Sequence, residues 1–294
     1  MLKNTAKTTV LLAALGGLIV TVSGVLGGGS STALVIGLVL ALVTVGGSYW
    51  FSDRLALRSA KAVVIGPHDH PVLYNTVFEL ARKADMPMPR VAISPQAQPN
   101  AFATGRGPNH AVVCATEGLL RQLPQDEVAA VMAHELMHVK HRDILIGSVA
   151  AAIATAISFI ANMALWATAF GGGSDDDQPN PIALLATALL APLAASLLQM
   201  AISRSREFEA DRGAAELLGT GEPLARALRR IEALATGTPM DVAPAQAHAY
   251  IHNPLAGLSR RRRQGPDMAK LFSTHPATAA RIERLESMMF YPAR

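Results

Sequence analysis

The stretch His134-Glu135-Leu136-Met137-His138 decides how the rest of this 294-residue chain is interpreted. It lies in a segment with the apolar spacing of a helix, where residues four apart share one face about one turn from each other. His134 and His138 can therefore hold a single metal ion between two imidazoles. A chance match and a buried, structurally satisfied histidine pair are the alternative interpretations.

Zinc suits such a pair, because neutral imidazole is a good zinc ligand and a catalytic zinc site leaves one of four positions to water. The only cysteine, Cys114, lies in an apolar strand and is interpreted as a small core residue, so no cysteine completes the ligand set. Glu207 is the candidate third ligand, and Asp211 follows it at the same four-residue spacing. The sequence therefore predicts one zinc ion per chain, held by His134, His138 and Glu207.

Two further carboxylates are expected to support this chemistry. Asp211 shares a helix face with Glu207, so it can accept a hydrogen bond from the far nitrogen of His134 and fix the tautomer of that ring. Glu135 is placed to take a proton from the water that attacks a peptide carbonyl and to pass it to the departing amine. A charged collar beside a membrane is the alternative for Glu207, and His141 is the alternative third ligand.

The composition predicts a membrane protein, since 50% of the residues are hydrophobic and only 16% are charged. Three long stretches contain no Asp, Glu, Lys or Arg, at residues 8–52, 144–174 and 178–203. The first is divided by a Gly-rich turn into two pieces of about 20 residues, the length of a membrane-crossing helix. A signal peptide is the alternative for the N-terminal piece. The segments at 144–170 and 181–202 are richer in Ala, and a buried helical hairpin is the alternative for them.

The basic residues predict the orientation. All 26 Lys and Arg residues lie within residues 1–7, 53–143 and 204–294, which the positive-inside rule places together in the cytoplasm. We therefore expect the lipid bilayer as a partner and no nucleic acid, although the run Arg260 to Arg263 allows a nucleic-acid patch as the alternative. The expected order is a membrane hairpin, half of a cytoplasmic domain, a second membrane hairpin and the other half of that domain, at 1–52, 53–143, 144–203 and 204–294.

Local patterns predict the elements of the cytoplasmic domain. Helices are expected over 70–84, from Pro124 to Asp143, and over 203–218, 222–235 and 276–288. Short strands are expected at 91–94 and 111–115, on either side of a turn region from Pro99 to Asn109. The fold class that follows is a mainly α-helical membrane protein with four hydrophobic helices and a cytoplasmic α+β domain containing a small sheet.

These motifs resemble those of the M48 metallopeptidases along nearly the whole chain. The shared features are H-E-x-x-H, E-F-E-A-D at Glu207 to Asp211, the Pro99 to Gly105 stretch, and Thr274-His275-Pro276 followed by Arg281. The resemblance implies a gluzincin-like metalloprotease domain in a multi-pass protein of the bacterial inner membrane, with both termini and the active site cytoplasmic.

The resemblance also implies roles for residues outside the metal motifs. Asn100, Ala101, Phe102 and Ala103 would form an edge strand that holds an extended substrate through its backbone. His275 and Arg281 would border the reacting carbonyl. The alternatives are a turn-stabilising role for Asn100 and a helix-start role for His275.

The expected activity is that of a zinc metalloendopeptidase working close to the membrane. A continuous helix places His138 about 9 Å from the apolar segment that begins at Ile144, so cleavage is expected near the cytoplasmic surface. The expected substrates are damaged membrane proteins or unfolded polypeptides, in a stress-response role of membrane-protein quality control that the resemblance implies. The alternatives are a site-specific processing peptidase, a non-catalytic metal-binding membrane scaffold and a transporter.

Overall fold

The computed structural model describes residues 29–145, 204–235, 250–252 and 277–288, together with residue 240 and most of residues 9–24. The predicted segments at 144–170 and 181–202 lie outside the described residues from residue 146 onward. His275 and the run from Arg260 to Arg263 lie outside them as well.

The N-terminal part is helical. Helix α1 covers Leu12–Thr21, α2 covers Ser31–Trp50 and α3 covers Ser52–Ser59. No single helix within the described residues is both long enough and apolar enough to cross a bilayer. The pair Ser31–Gly47 and Ser52–Ser59 passes that test only in combination, and its two members meet at 71°.

A four-stranded sheet follows in the order β1-β2-β4-β3, with β1 at Val63–Ile65, β2 at Arg90–Ser94, β3 at Ala101–Gly105 and β4 at Ala111–Thr116. β2 and β4 are parallel, whereas β1 and β3 pair antiparallel with their neighbours. β4 is therefore internal and fully buried, which agrees with its continuous apolar run from Ala111 to Ala115. β3 is left at one edge of the sheet.

Helices surround this sheet. They are α4 at Pro71–Lys83, α5 at Glu117–Gln122, α6 at Gln125–Lys140, α7 at Arg204–Leu218, α8 at Glu222–Ala235 and α9 at Thr278–Ser287, and a 3-10 turn covers Pro108–His110. α6 is the central helix, because α4, α7, α8 and β3 all pack against it. Because its neighbours enclose it, most residues of α6 are buried, including His134 and Glu135.

The start and the end of α6 follow from its sequence. Asp126 and Glu127 lie in its first turn, where the positive end of the helix dipole favours carboxylates. At the other end Arg142 adopts the left-handed conformation with φ 58°. The amide of Asp143 then donates to the carbonyl of His138 over 3.2 Å, and that of Arg142 donates to Val139 over 3.1 Å. These two bonds make a Schellman motif, which satisfies carbonyls of the last turn and reverses the chain.

Most predicted helices are confirmed within two or three residues, but the turn predicted from the local pattern is wrong where the family resemblance implied a strand, and one strand was missed. The expected turn region from Pro99 to Asn109 contains the strand β3, whose five residues are all buried and so show no alternation of polar and apolar side chains. The three-residue strand β1 was not predicted, because Val63–Ile65 is too short to show a period. α6 ends at Lys140 rather than at Asp143, since the Schellman turn takes up the last residues.

Candidate metal centre and active site

His134 and His138 lie one turn apart on the inner face of α6. Their Nε2 atoms are 3.0 Å apart, and their ring planes are nearly perpendicular, at 87°. The side chain of His134 is 1% exposed and that of His138 is 16% exposed. Both rings therefore direct the same nitrogen to one point on the surface of α6.

Glu207 reaches that point from the first turn of α7. Its Oε1 lies 3.5 Å from Nε2 of His138 and its Oε2 lies 3.8 Å from Nε2 of His134. α7 approaches α6 through small residues, since Ala210 and Ala214 are fully buried and a Cβ at Gly213 would lie 2.8 Å from the side chain of Met137. The small residues of α7 thus allow the short distance at which Glu207 meets the two imidazoles.

The three side chains fit a tetrahedral metal ion. Ligand atoms roughly 2.0–2.2 Å from such an ion are about 3.3 Å from one another. One ligand atom each from His134, His138 and Glu207 can be chosen so that all lie within 4.8 Å of one another. In the part of the chain that the structure describes, this is the one group of His, Cys, Asp or Glu side chains with such spacing. His141 is not part of it.

Asp211, one turn after Glu207 on α7, contacts the far side of the first imidazole. Its Oδ1 lies 3.0 Å from Nδ1 of His134. Arg281 of α9 donates to both oxygens of Asp211, over 2.7 and 2.9 Å. Burial opposes a charge on Asp211, but Arg281 and His134 together outweigh burial and lower the pKa of Asp211, so the carboxylate remains charged beside the ring.

The second imidazole has its own carboxylate, which the sequence motifs did not indicate. Nδ1 of His138 lies 3.0 Å from Oδ2 of Asp143, whose side chain is only 4% exposed. Asp143 is brought there by the Schellman motif, which folds the chain back over the last turn of α6. The signal that could have found it is an acidic residue five positions after the second histidine of H-E-x-x-H, where a helix end can return it to the ring.

The two imidazoles differ in their affinity for protons. Burial lowers the pKa of His134, and the hydrogen bond that Asp211 accepts from the ring only partly opposes this effect. Burial also opposes a charge on His138, but Asp143, Glu207 and Glu135 outweigh it and raise the pKa of His138 to about 10. In both rings a carboxylate contacts Nδ1, Asp211 in His134 and Asp143 in His138, so Nε2 is the nitrogen that remains for a metal.

Glu135, between the two histidines in sequence, is 2% exposed. Burial is the main cause that raises its pKa to about 8, and the nearby Glu207 adds to the effect, while His138 and Arg281 oppose it. A carboxyl group with a pKa near neutrality can both accept and donate a proton at neutral pH.

Arg281 lies at the centre of a buried network and is itself 2% exposed. Besides its two bonds to Asp211, it donates to the carbonyl of Ile251 over 3.2 Å and lies 3.4 Å from Oε2 of Glu207. The Asp211 carboxylate raises its pKa despite burial. The structure thus places Arg281 beside the metal ligands, where it joins α9 to α7.

Asn100 and β3 contact another part of the chain. The fully buried Asn100 side chain donates to the carbonyl of His252 over 2.9 Å and accepts from the amide of the same residue over 3.2 Å. The carbonyl of Ala101 accepts from the amide of Ile251 over 3.0 Å, and Phe102 pairs with Tyr250. Residues 250–252 therefore run antiparallel along the outer edge of β3.

Cys114 is a core thiol, as the sequence indicates. It is fully buried in β4, and burial raises its pKa far above the ordinary value. A thiol in that state is not a nucleophile or a metal ligand.

Comparison with known proteins agrees with this geometry. The sequence profile described as Peptidase family M48 matches residues 67–289, which include all the site residues described above. The chain therefore belongs to peptidase family M48, and it is a metallopeptidase by family and by its cluster of two histidines and a glutamate.

Several curated relatives match almost end to end. A protease HtpX homolog of Syntrophotalea carbinolica is 50% identical over 97% of this chain and 99% of its own length. One of Burkholderia thailandensis is 49% identical over 97% of both chains. Among solved structures, Ste24p of S. mikatae matches with 21% identity and a TM-score of 0.48, over 97% of this chain and 65% of that chain.

Proposed function

We propose that this metallopeptidase is a zinc-dependent endopeptidase that cuts polypeptides at the cytoplasmic face of a membrane. The observation that carries the proposal is the convergence of His134, His138 and Glu207 on one point, with Glu135 beside them on α6. Two imidazoles and one carboxylate form a donor set that zinc favours, and three protein ligands leave a fourth position open. The relatives described above are named protease HtpX homologs, which supports the same reaction class.

The residues around the ion have separate tasks. Bound zinc would supply Lewis acidity toward water and toward a carbonyl oxygen. Glu135 accepts the proton of the attacking water and then donates it to the amine that leaves when the peptide bond breaks. Asp211 and Asp143 hold the two imidazoles in the tautomer that presents Nε2. Arg281 keeps Asp211 charged, and we propose that it and His275 also border the reacting carbonyl.

We further propose that an extended substrate lies along β3, with Asn100, Ala101, Phe102 and Ala103 as its binding residues. An edge strand binds many sequences through its backbone, which suits a peptidase of broad specificity. The pairing of Ala101 with Ile251 sets a condition, because residues 250–252 occupy the outer edge of β3 and a substrate strand that pairs with β3 there has to displace them.

A disulfide between positions 102 and 250 tests whether residues 250–252 have to leave β3. Phe102 and Tyr250 are antiparallel partners with ring centroids 5.0 Å apart, and such partners have the Cα separation that a disulfide needs. In a Cys114→Ala background, Phe102→Cys with Tyr250→Cys should lose peptide cleavage when oxidised and regain it when reduced, whereas the background alone should not respond. Equal cleavage by the oxidised and reduced forms would show that substrates do not displace residues 250–252.

The membrane location is supported by α2. Its apolar side chains are largely exposed, for example Val35 at 60%, Leu42 at 65% and Val43 at 67%. A continuous apolar surface of that kind is unfavourable in water and favourable in lipid. With the basic residues predicting a cytoplasmic domain, we propose cleavage of membrane proteins and unfolded chains, in a quality-control role. Scattered cleavage sites in a substrate profile would support this role, and one fixed motif would support a processing peptidase instead.

The decisive experiment separates an enzyme from a metal-binding scaffold. Glu135→Gln removes the proton acceptor and leaves the three ligands, so the variant should keep its zinc and lose cleavage of an unfolded test protein. Glu209→Gln is the matched control, since Glu209 is exposed on α7 and should leave both properties unchanged. Undiminished cleavage by Glu135→Gln would overturn the proposed mechanism.

A further inference from the structure

A cleft of about 420 Å³ lies where α2 meets the sheet, on a different part of the molecule from the metal centre. Its basic lining comes from separate elements, with Arg54 at the start of α3, Arg90 at the start of β2, and Arg106 and His110 between β3 and β4. Trp50, the last residue of α2, forms another wall. We call this site the arginine cleft.

The charges in the arginine cleft are not balanced. Asp53 is the carboxylate among the lining residues, and it forms an ion pair with Arg90. Arg106 lies over the ring of Trp50, with its Cζ 4.4 Å from the ring centroid, and Arg54 lies 5.5 Å from the ring centroid of Phe51. Among the residues described by the structure, Arg54 and Arg106 form no ion pair with a carboxylate. Aromatic rings hold both guanidiniums in place and leave them able to bind an anion.

The position of the cleft indicates the source of that anion. α2 has 20 residues, a length of about 30 Å, and it ends in Tyr49-Trp50-Phe51, an aromatic cluster typical of the headgroup level of a bilayer. The chain then bends by 71° into α3. The segment Ser31–Gly47 passes the length and hydropathy test for a membrane span only together with α3. On the membrane location proposed above, with α2 in the bilayer, α3 runs nearly parallel to the surface and the arginine cleft opens at the depth of lipid phosphates.

We propose that the arginine cleft binds the phosphate group of an anionic phospholipid. Guanidinium groups bind phosphate oxygens through paired N–H donors, and 420 Å³ is within the usual size of a small-ligand site. Two arginines without a carboxylate favour a headgroup with net negative charge over a zwitterionic one. The bound lipid would fix the protease domain against the membrane at the junction of α2 and α3. This inference rests on the membrane location proposed above.

The test compares two matched pairs of substitutions in the full-length protein, reconstituted in nanodiscs of phosphatidylcholine with phosphatidylglycerol. Arg54→Gln with Arg106→Gln removes two charges from the cleft. Arg82→Gln with Arg121→Gln removes two charges from helix surfaces, where these side chains are 67% and 74% exposed. Native mass spectrometry counts the phosphatidylglycerol molecules that remain bound. The first pair should weaken retention about tenfold or more, and the second should retain lipid like the unmodified protein.

A second measurement leaves the arginines intact. The chain has two tryptophans, so Trp166→Phe leaves Trp50 as the single tryptophan, which can be excited selectively. Its emission should change when phosphatidylglycerol replaces phosphatidylcholine, and excess glycerol phosphate in solution should not reproduce the change. If glycerol phosphate alone reproduces it, the site binds a soluble anion and the lipid assignment is wrong.

Equal retention by the two double variants, at any level, would also overturn the proposal. Extraction of native membranes at alkaline pH separates this failure from a failure of the proposed membrane location. A protein released by that treatment is not embedded, whereas a protein that stays embedded but shows equal retention lacks only the lipid site.

Discussion

The two imidazoles of the metal centre look equivalent in the motif, yet different parts of the molecule hold them. His134 depends on Asp211 of α7, which depends in turn on Arg281 of α9, 70 residues further along the chain. His138 depends on Asp143, five residues away, which the end of its own helix brings back to the ring. The orientation of one ligand therefore needs the assembled domain, while that of the other is set by a local turn.

The largest effect should come from Glu207, the candidate ligand that lies close to both imidazoles. Glu207→Ala removes the carboxylate that lies 3.5 and 3.8 Å from the two Nε2 atoms. Metal analysis should show a fall from about one ion per chain to almost none, since losing a ligand exceeds the roughly 10- to 100-fold weakening caused by losing an outer partner. Glu216→Ala, an exposed change on α7, should keep the ion. Full metal content in Glu207→Ala would remove this residue from the site.

Removing Asp211, the carboxylate that holds His134, should reduce the stability of the protein as well as its metal affinity. Asp211→Ala removes both hydrogen bonds from the buried Arg281 guanidinium to a carboxylate and leaves it only the longer carboxylate contact with Glu207, and a guanidinium cannot lose its proton to relieve this. We expect the free energy of unfolding to fall by about 3–5 kcal/mol in urea titrations.

A second substitution shows which part of that loss comes from the orphaned charge. Arg281→Met added to Asp211→Ala should recover most of the stability, because the buried guanidinium is gone, but it should not recover metal affinity. Recovery of both would mean that Asp211 does not orient His134.

Removing Asp143, the carboxylate that holds His138, should affect metal binding more than stability. Asp143→Ala should weaken zinc binding roughly 10- to 100-fold in a chelator competition assay. The loss of stability should be smaller than for Asp211→Ala, because an orphaned His138 can become neutral. Asp143→Asn should keep most of the zinc affinity, since an amide oxygen still accepts from Nδ1. Equal destabilisation by Asp211→Ala and Asp143→Ala would contradict the proposed difference between the supports of His134 and His138.

The smallest effect is expected from substitutions at Arg142, in the turn that places Asp143 beside His138. Arg142 has φ 58°, a conformation that glycine adopts without strain. Arg142→Gly should raise the free energy of unfolding by about 0.5–1 kcal/mol and leave zinc affinity unchanged, whereas Arg142→Val should lower both. Lys61→Gly, at another left-handed position with φ 52°, provides a control away from the metal. A zinc affinity that does not change in Arg142→Val would separate the turn from the ligand.

The sequence allowed those parts of the site to be predicted that depend on spacing within one helix. Residues four apart on α6 and on α7 placed His134 with His138 and Glu207 with Asp211, and the structure brings the two pairs together. The link between Asp211 and Arg281 could not be derived from spacing, because it depends on how α9 packs against α7 and α8. Asp143 was missed because its position depends on a left-handed arginine, which sequence patterns rarely indicate.

The sheet shows the same division between local and distant information. β2 and β4 are confirmed nearly as expected, because their apolar runs are distinctive. β3 is buried on all five residues, so the local pattern indicated a turn and only the family resemblance implied a strand there. Its pairing with residues 250–252 joins segments about 150 residues apart and has no local signal.

The distance along the chain between Arg281 and its partners has a consequence for biosynthesis. A ribosome makes α6 and α7 well before α9, so a growing chain contains both histidines and Glu207 while the guanidinium that neutralises Asp211 is still missing. Asp211 then lacks the cation that keeps it ionised in a buried environment. The order of translation therefore delays completion of the network that joins Arg281, Asp211 and His134 until residue 281 has emerged.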